Sequence, residues 1–291
     1  MAAAGRRTRQ RLVEPSASAG AAKCGRYALA FLLVQNIRDR CAFPNLSSCS
    51  LPARLFIKRV DEAIGLSQGD REALRGLQVV ERVLTNREAI CQEGDAASHC
   101  TVLLDGFLVR SKIVGDREQI LAVHVPGDFP DLQTLHLPVL DHDIVSVGPS
   151  RVGVIPHAHL KAILTASPTL THVFWRETLV EAAIFREWVC NVGARSALAS
   201  VAHLICELAA RLDAVGLLQD HSFQLPLVQQ DIANARGISA VHVNRTLQEL
   251  RKRKLISWEG RSVTLLDRKE LGKLAGFSGE YLHQRARPAA A

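Results

Sequence analysis

The stretch QQDIANARGISAVHVNRTLQELRKRKLI, residues 229–256, decides how the rest of the chain is read. It spells two helices joined by a tight turn. Ala233 is small enough for a second helix to approach closely, and Gly237 falls where the turn needs positive φ, which glycine adopts without steric cost. Ser239 is a good N-cap for the second helix. Val243, Leu247 and Leu250 then repeat at helical spacing and form a buried face. The opposite face carries His242, Asn244, Arg245 and Gln248, polar side chains able to reach base edges. Arg251, Lys252, Arg253 and Lys254 follow as a natural phosphate-contacting cluster. This is the layout of a helix-turn-helix, whose second helix enters the major groove.

The flanks extend the pattern. Downstream, ISWEG and RSVTLLD read as two short strands around Glu259-Gly260-Arg261, a wing, and the tail from Lys269 to Tyr281 reads as helical. Upstream, Ser196 caps a helix with Val201, Leu204, Ile205, Leu208 and Leu212 on its core face, ending near Gly216. Before it lies a longer helix. Ser167 is its cap, Pro168 its first residue, and Asn191-Val192-Gly193 its break and a hinge. Leu170, Val173, Val180 and Ile184 line one stripe, and Phe174, Phe185 and Trp188 widen the apolar surface beyond what one neighbour needs. A long helix with excess apolar face between two domains is expected to be a dimer seam.

Between Gln78 and Ile155 the period shifts to two, with turns at Gly94-Asp95, Asp105-Gly106, Gly115-Asp116, Pro126-Gly127-Asp128 and Gly148-Pro149. Many short strands with evenly spaced turn signals predict a small antiparallel barrel or jelly roll. Two short helices precede it, the first carrying Ile57, Val60 and Ile64, the second opened by a Ser67–Asp70 capping pair. The expected fold class is therefore α+β, with four parts: residues 1–50, a disordered basic tail; 51–166, a β-roll; 167–192, a dimerisation helix; and 193–291, a winged helix-turn-helix.

Charge supports that division. The net +7 is distributed as +6 over residues 1–50, −4 over 51–192 and +5 over 193–291. A weakly acidic middle beside a basic C-terminal third suits a sensor coupled to a polyanion binder, and excludes a protein that coats nucleic acid along its whole surface. The seven cysteines (24, 41, 49, 91, 100, 190 and 206) form no CxxC pair, so neither a zinc ribbon nor a disulfide framework follows. Tyr27 to Val34 is the longest apolar candidate span and is too short to cross a membrane. No membrane association, cofactor, metal or enzymatic activity is expected, and the expected compartment is the cytoplasm.

The whole order from residue 51 to about 285 resembles the cyclic-AMP receptor protein and fumarate–nitrate reduction regulator (Crp/Fnr) family of bacterial transcription factors. The resemblance is carried by Gln229–Leu265, by the EGD turn at Glu93–Asp95 and by the PGDF turn at Pro126–Phe129. It implies a cyclic-nucleotide-binding-like roll, a homodimer, an inverted-repeat operator in double-stranded DNA, and RNA polymerase as a partner. It also implies where a cyclic nucleotide would bind, and there this chain departs. A Gly-Glu pair that takes the ribose is replaced by Pro130-Asp131, and the region expected to hold an arginine for the cyclic phosphate reads Leu140-Asp141-His142-Asp143-Ile144. Carboxylates there repel a phosphate, so the signal is expected to be something other than cyclic AMP. Asp131 and His142 are the weak candidates for contacting whatever it is.

In the second helix the family's base-reading positions fall on Ala240, Val241 and Arg245. Arg245 keeps a guanine-reading role and Val241 offers an apolar contact, for example to a thymine methyl. The expected DNA-contacting set is Ser239, Val241, His242, Asn244, Arg245, Gln248, Arg251 and Lys252. The alternative is a jelly-roll metal-dependent enzyme, or a regulator sensing metal or haem through His136, Asp141, His142 and Asp143 or through His157 and His159.

Overall fold

The period-two alternation between Gln78 and Ile155 becomes seven strands in the computed structural model of the chain, which describes residues 54–284. The basic tail, with Cys24, Cys41 and Cys49, lies outside the described residues. Helices α1 (Arg54–Ile64) and α2 (Gln68–Arg75) come first. α1 buries Phe56, Ile57 and Val60, and Ser67 caps α2 by accepting from the Asp70 N–H at 3.1 Å.

The roll consists of β1 (Val80–Leu84), β2 (Ala89–Cys91), β3 (His99–Asp105), β4 (Leu108–Val114), β5 (Arg117–His124), β6 (Asp143–Ser146) and β7 (Ser150–Pro156). They pair antiparallel in two sheets, ordered β1-β7-β3 and β2-β6-β4-β5. The β3–β4 turn approaches the start of β7 so closely that a Cβ on Gly106 would lie 2.5 Å from Ser150 Oγ, and only glycine fits there. The register of β4 against β5 shifts between Arg110 and Ser111, a bulge of the kind that re-aims a side chain.

The strands end close to Ile155, as expected, and the chain then turns at Pro156 into a helix the sequence did not announce, α3 (His157–Ala166). α4 (Pro168–Gly193) follows, its Ser167 cap accepting from the Leu170 N–H at 3.1 Å. The expected break at Asn191-Val192-Gly193 falls slightly later, because Asn191 is buried and its amide donates to His203 Nδ1 at 3.1 Å. Phe56, Phe129 and Phe174 meet with ring centroids 4.8–5.4 Å apart and seat α4 on the roll.

The remainder is α5 (Ala197–Val215), β8 (Ser222–Gln224), α6 (Gln229–Arg236), α7 (Ala240–Lys252), β9 (Ile256–Glu259), β10 (Ser262–Leu265) and α8 (Arg268–Ala275). The wing is a three-stranded sheet ordered β8-β10-β9. Its third member, β8, is too short to show an alternation in sequence. One apolar cluster runs from Phe107, Val109, Ile120 and Val123 of the roll through Leu204 and Leu208 to Ile232 and Leu247. The roll and the helix-turn-helix share a core.

Candidate nucleic-acid interface

The turn between α6 and α7 forms for the reasons the sequence suggested. Gly237 sits at φ 64° and closes α6 by donating to the Ala233 carbonyl. Ser239 Oγ accepts from the His242 N–H at 3.2 Å, which makes Ser239 a cap first. Val243, Thr246, Leu247 and Leu250 bury one face of α7, leaving Val241, His242, Arg245, Gln248, Arg251 and Lys252 exposed. Val241, Arg245, Gln248 and Lys252 follow one another at spacings of four, three and four, so they share one line along the helix. That line is about 16 Å long at 1.5 Å per residue.

The side chains on this face are held differently. Arg245 and Lys252 make no ion pair among the described residues. Asn244 is half-buried and donates to Gln229 Oε1 at 3.2 Å, which ties it back to α6. Arg251 donates to the Trp258 carbonyl at 3.1 Å and so braces the wing, and Arg253 is paired with Glu249 at 2.8 Å. The four-residue basic cluster therefore offers Lys252 and Lys254 most openly.

The helix-turn-helix is anchored by charged residues that the sequence reading left without a role. Asp231, buried, accepts from the Val228 N–H at 2.9 Å and pairs with Arg87 of the β1–β2 turn. Asn234 donates to Glu118 of β5 at 2.9 Å. Arg236 is buried with its guanidinium stacked 4.2 Å from the Trp188 ring, and burial lowers its pKa to about 10. Glu207, fully buried in α5, accepts from Trp188 Nε1 at 3.0 Å and from the Tyr281 hydroxyl at 2.8 Å.

Between β5, the Pro126–Phe129 turn, α1, α4 and Arg211 of α5 lies a half-open cavity of about 70 Å³. Its walls are charged and paired: Arg59 with Glu177 at 2.7 Å, Arg110 with Glu181 at 2.5 Å, and Arg211 with Asp128. Burial raises the Glu181 carboxyl even against the neighbouring Arg110, and it drives the His124 imidazole well below its ordinary value. The two effector candidates are not in this wall. Asp131 is buried beneath β3, where it accepts from the Thr101 N–H at 2.7 Å. Burial pushes its carboxyl up to about 7, opposed by that hydrogen bond and by Arg110. His142 is buried too, with Nδ1 at 2.7 Å from Asp141, and burial lowers its pKa. Asp141 is exposed, and Asp143 accepts from the Glu93 N–H at 2.7 Å.

Burial pushes the thiols of Cys91, Cys100 and Cys206 up to about 12, so they stay protonated. Among the described residues no group of three or more His, Cys, Asp or Glu could hold a metal ion, and no helix is long and apolar enough to cross a membrane. His157 and His159 open α3, and His157 Nε2 lies 3.0 Å from Thr134 Oγ1.

A β-roll joined through a long helix to a winged helix-turn-helix defines a class: a DNA-binding transcriptional regulator. Known proteins agree with that class. Residues 81–167 match the cyclic nucleotide-binding domain family, and residues 199–274 match the Crp-like helix-turn-helix domain family. The transcriptional activator protein FnrA of Stutzerimonas stutzeri is 24% identical over 214 residues, covering 73% of this chain and 87% of that protein. The nitrogen fixation regulation protein FixK of Azorhizobium caulinodans is 27% identical over 210 residues, covering 70% and 84%. The structure of FixK2 from Bradyrhizobium japonicum shares the fold, with a TM-score of 0.63 and 22% identity over 69% of this chain and all of that one. The chain belongs to the Crp/Fnr family of transcriptional regulators.

Proposed function

We propose that the protein acts as a homodimer that reads an inverted-repeat operator through α7 and takes its signal from something other than cyclic AMP. The observation that carries the reading is the exposed line Val241, Arg245, Gln248 and Lys252 on a capped helix whose other face is core. Arg245 takes a guanine through O6 and N7, and Val241 packs on a thymine methyl. His242 and Gln248 flank them. Lys252 reaches phosphate, Ser239 and Asn244 fix the helix start, and Arg251 holds the wing. In this reading residues 51–166 sense, 167–192 dimerise and 193–291 bind DNA, with 1–50 a basic tail. RNA polymerase is the further partner, and the cytoplasm, where the operator is, is the compartment.

Support for the dimer comes from the outer face of α4. Trp175, Leu179, Phe185, Val189 and Val192 are 60, 56, 48, 57 and 49% exposed. Trp175, Thr178, Ala182, Phe185, Val189 and Val192 follow a three–four spacing, the pattern of a coiled-coil seam. The exposed apolar surface differs in detail from the one expected from sequence. Val180, Phe174 and Trp188 are buried within the protomer, and Ile184 packs on its own core.

Support for a signal other than cyclic AMP comes from charge. Asp141 and Asp143 stand where a phosphate needs a cation. Arg110 is committed to Glu181, and Arg151 faces Glu81 at 3.5 Å.

The test is selection of the preferred sequence from random DNA by the purified full chain. The expected product is an inverted repeat with half-sites about one helical turn apart, each containing a guanine. A selection that enriches no sequence overturns the reading.

A further inference from the structure

The roll cavity is walled in part from the other half of the molecule. Arg211 lies on the apolar face of α5 between Leu208 and Leu212, yet its side chain leaves that helix for the roll and is only 7% exposed. Its Nη1 donates to the Val123 carbonyl at 2.8 Å, and its Nη2 donates to Asp128. Asp128 belongs to the Pro126–Phe129 turn and also accepts from the Val125 N–H at 2.8 Å. Arg59 lies 4.0 Å from the other Asp128 oxygen and 2.7 Å from Glu177. On its far side Arg211 is 3.5 Å from Glu207, the residue that receives Trp188 and Tyr281. Glu177, Arg59, Asp128, Arg211 and Glu207 thus form a chain of alternating charge. It leaves α4, crosses the turn, enters the DNA-binding half and returns to α4 at Trp188.

The Arg87–Asp231 pair also joins the two halves, but Arg87 is 38% exposed and water can replace what it does. Water has no comparable access to Arg211. A guanidinium buried on a carboxylate and a carbonyl leaves an uncompensated charge when either partner is removed. Arg211 therefore costs much to displace, and α5 carries α6 and α7 with it through their common core. In the same arrangement Val241, Arg245, Gln248 and Lys252 are all exposed.

We infer that Arg211 is a positioning residue for DNA binding: a wall residue of the roll cavity, contributed by α5, that fixes the helix-turn-helix on the Pro126–Phe129 turn with its reading face displayed, without a diffusible ligand. The inference rests on α7 being the DNA-reading helix.

The experiment measures affinity of the full chain for the operator that the wild type selects. Arg211→Ala and the isosteric Asp128→Asn should each lose at least tenfold. The double variant should lose no more than the worse single one, since both delete the same contact. Millimolar methylguanidinium should restore most of the loss in Arg211→Ala and none in Asp128→Asn, a response that general loosening of the fold would not give. Circular dichroism and thermal unfolding establish that the variants are folded; if Arg211→Ala is not, Asp128→Asn decides. Unchanged or higher affinity in the folded variants overturns the inference. So do losses that add in the double variant, or that methylguanidinium leaves untouched. A wild type that selects no operator would instead sink the assignment of α7.

Discussion

The arginines of the roll cavity and the cations of α7 carry the same charge to opposite ends. Arg59, Arg110 and Arg211 are drawn inward, and each meets a carboxylate within the protein. Arg245 and Lys252 are turned outward and meet none among the described residues. A charge kept from water must find its partner inside the fold, whereas a charge left in water keeps its field for a partner outside. The first region is built to hold shape and the second to meet a polyanion. That contrast can be attacked from several sides.

The largest effect is expected at the seam that pairs two outward faces. Phe185→Glu combined with Val189→Glu should give monomers in sedimentation. It should also weaken operator binding by at least about 100-fold, because the second half-site no longer binds as a tethered partner. A variant that stays dimeric places the seam elsewhere.

Next comes the stability of the inward region. The buried Asp131 carboxyl is raised from 3.8 to about 7, so the folded protein holds this proton where the unfolded chain has lost it. Its contribution is therefore full below about pH 4 and declines as pH rises towards 7. Asp131→Asn keeps an acceptor for Thr101 and removes the charge. It should raise the melting temperature at pH 8 and leave it nearly unchanged at pH 4, with a ceiling of about 4 kcal/mol. Equal effects at both pH values would show that Asp131 is not buried as described.

Two smaller effects separate base reading from phosphate contact on the outward face. Arg245→Ala should cost about 1–3 kcal/mol at one base pair of each half-site and little elsewhere. Lys252→Ala should weaken all sequences alike and lower the salt slope by about one. Binding to matched operators at several salt concentrations distinguishes them. Uniform loss in Arg245→Ala would make it a phosphate contact and move base reading to His242.

How much of this was readable beforehand follows from locality. Gly237, Ser239 and the Val243–Leu247–Leu250 repeat act within a few residues of one another, and they produced the turn and the buried face as expected. The strands of the roll were legible from alternation and turn glycines. Helix α3 was missed because ten residues after a strand rich in Val and Ile carry too little periodicity to declare themselves. A trace of the charge chain was visible: Glu207 and Arg211 interrupt an apolar stripe at a spacing of four. That spacing marks charged residues bound for burial, but their partners, Asp128 and Trp188, lie far away in sequence.

By itself, then, the sequence determined the order of the main parts, though not α3 or β8, the helix-turn-helix with its two faces, the presence of an oversized apolar helix, and the acidic substitutions at Asp141 and Asp143. Each of these follows from propensity, periodicity or charge over a short span. Only the tertiary structure decided which apolar residues of α4 are buried within the protomer and which stay exposed. It alone showed that Asn244 and Arg251 are tied back to the protein, and that Arg211 reaches from α5 into the wall of the roll cavity. These depend on which distant surfaces pack together, and packing assigns a side chain its partner and its access to water.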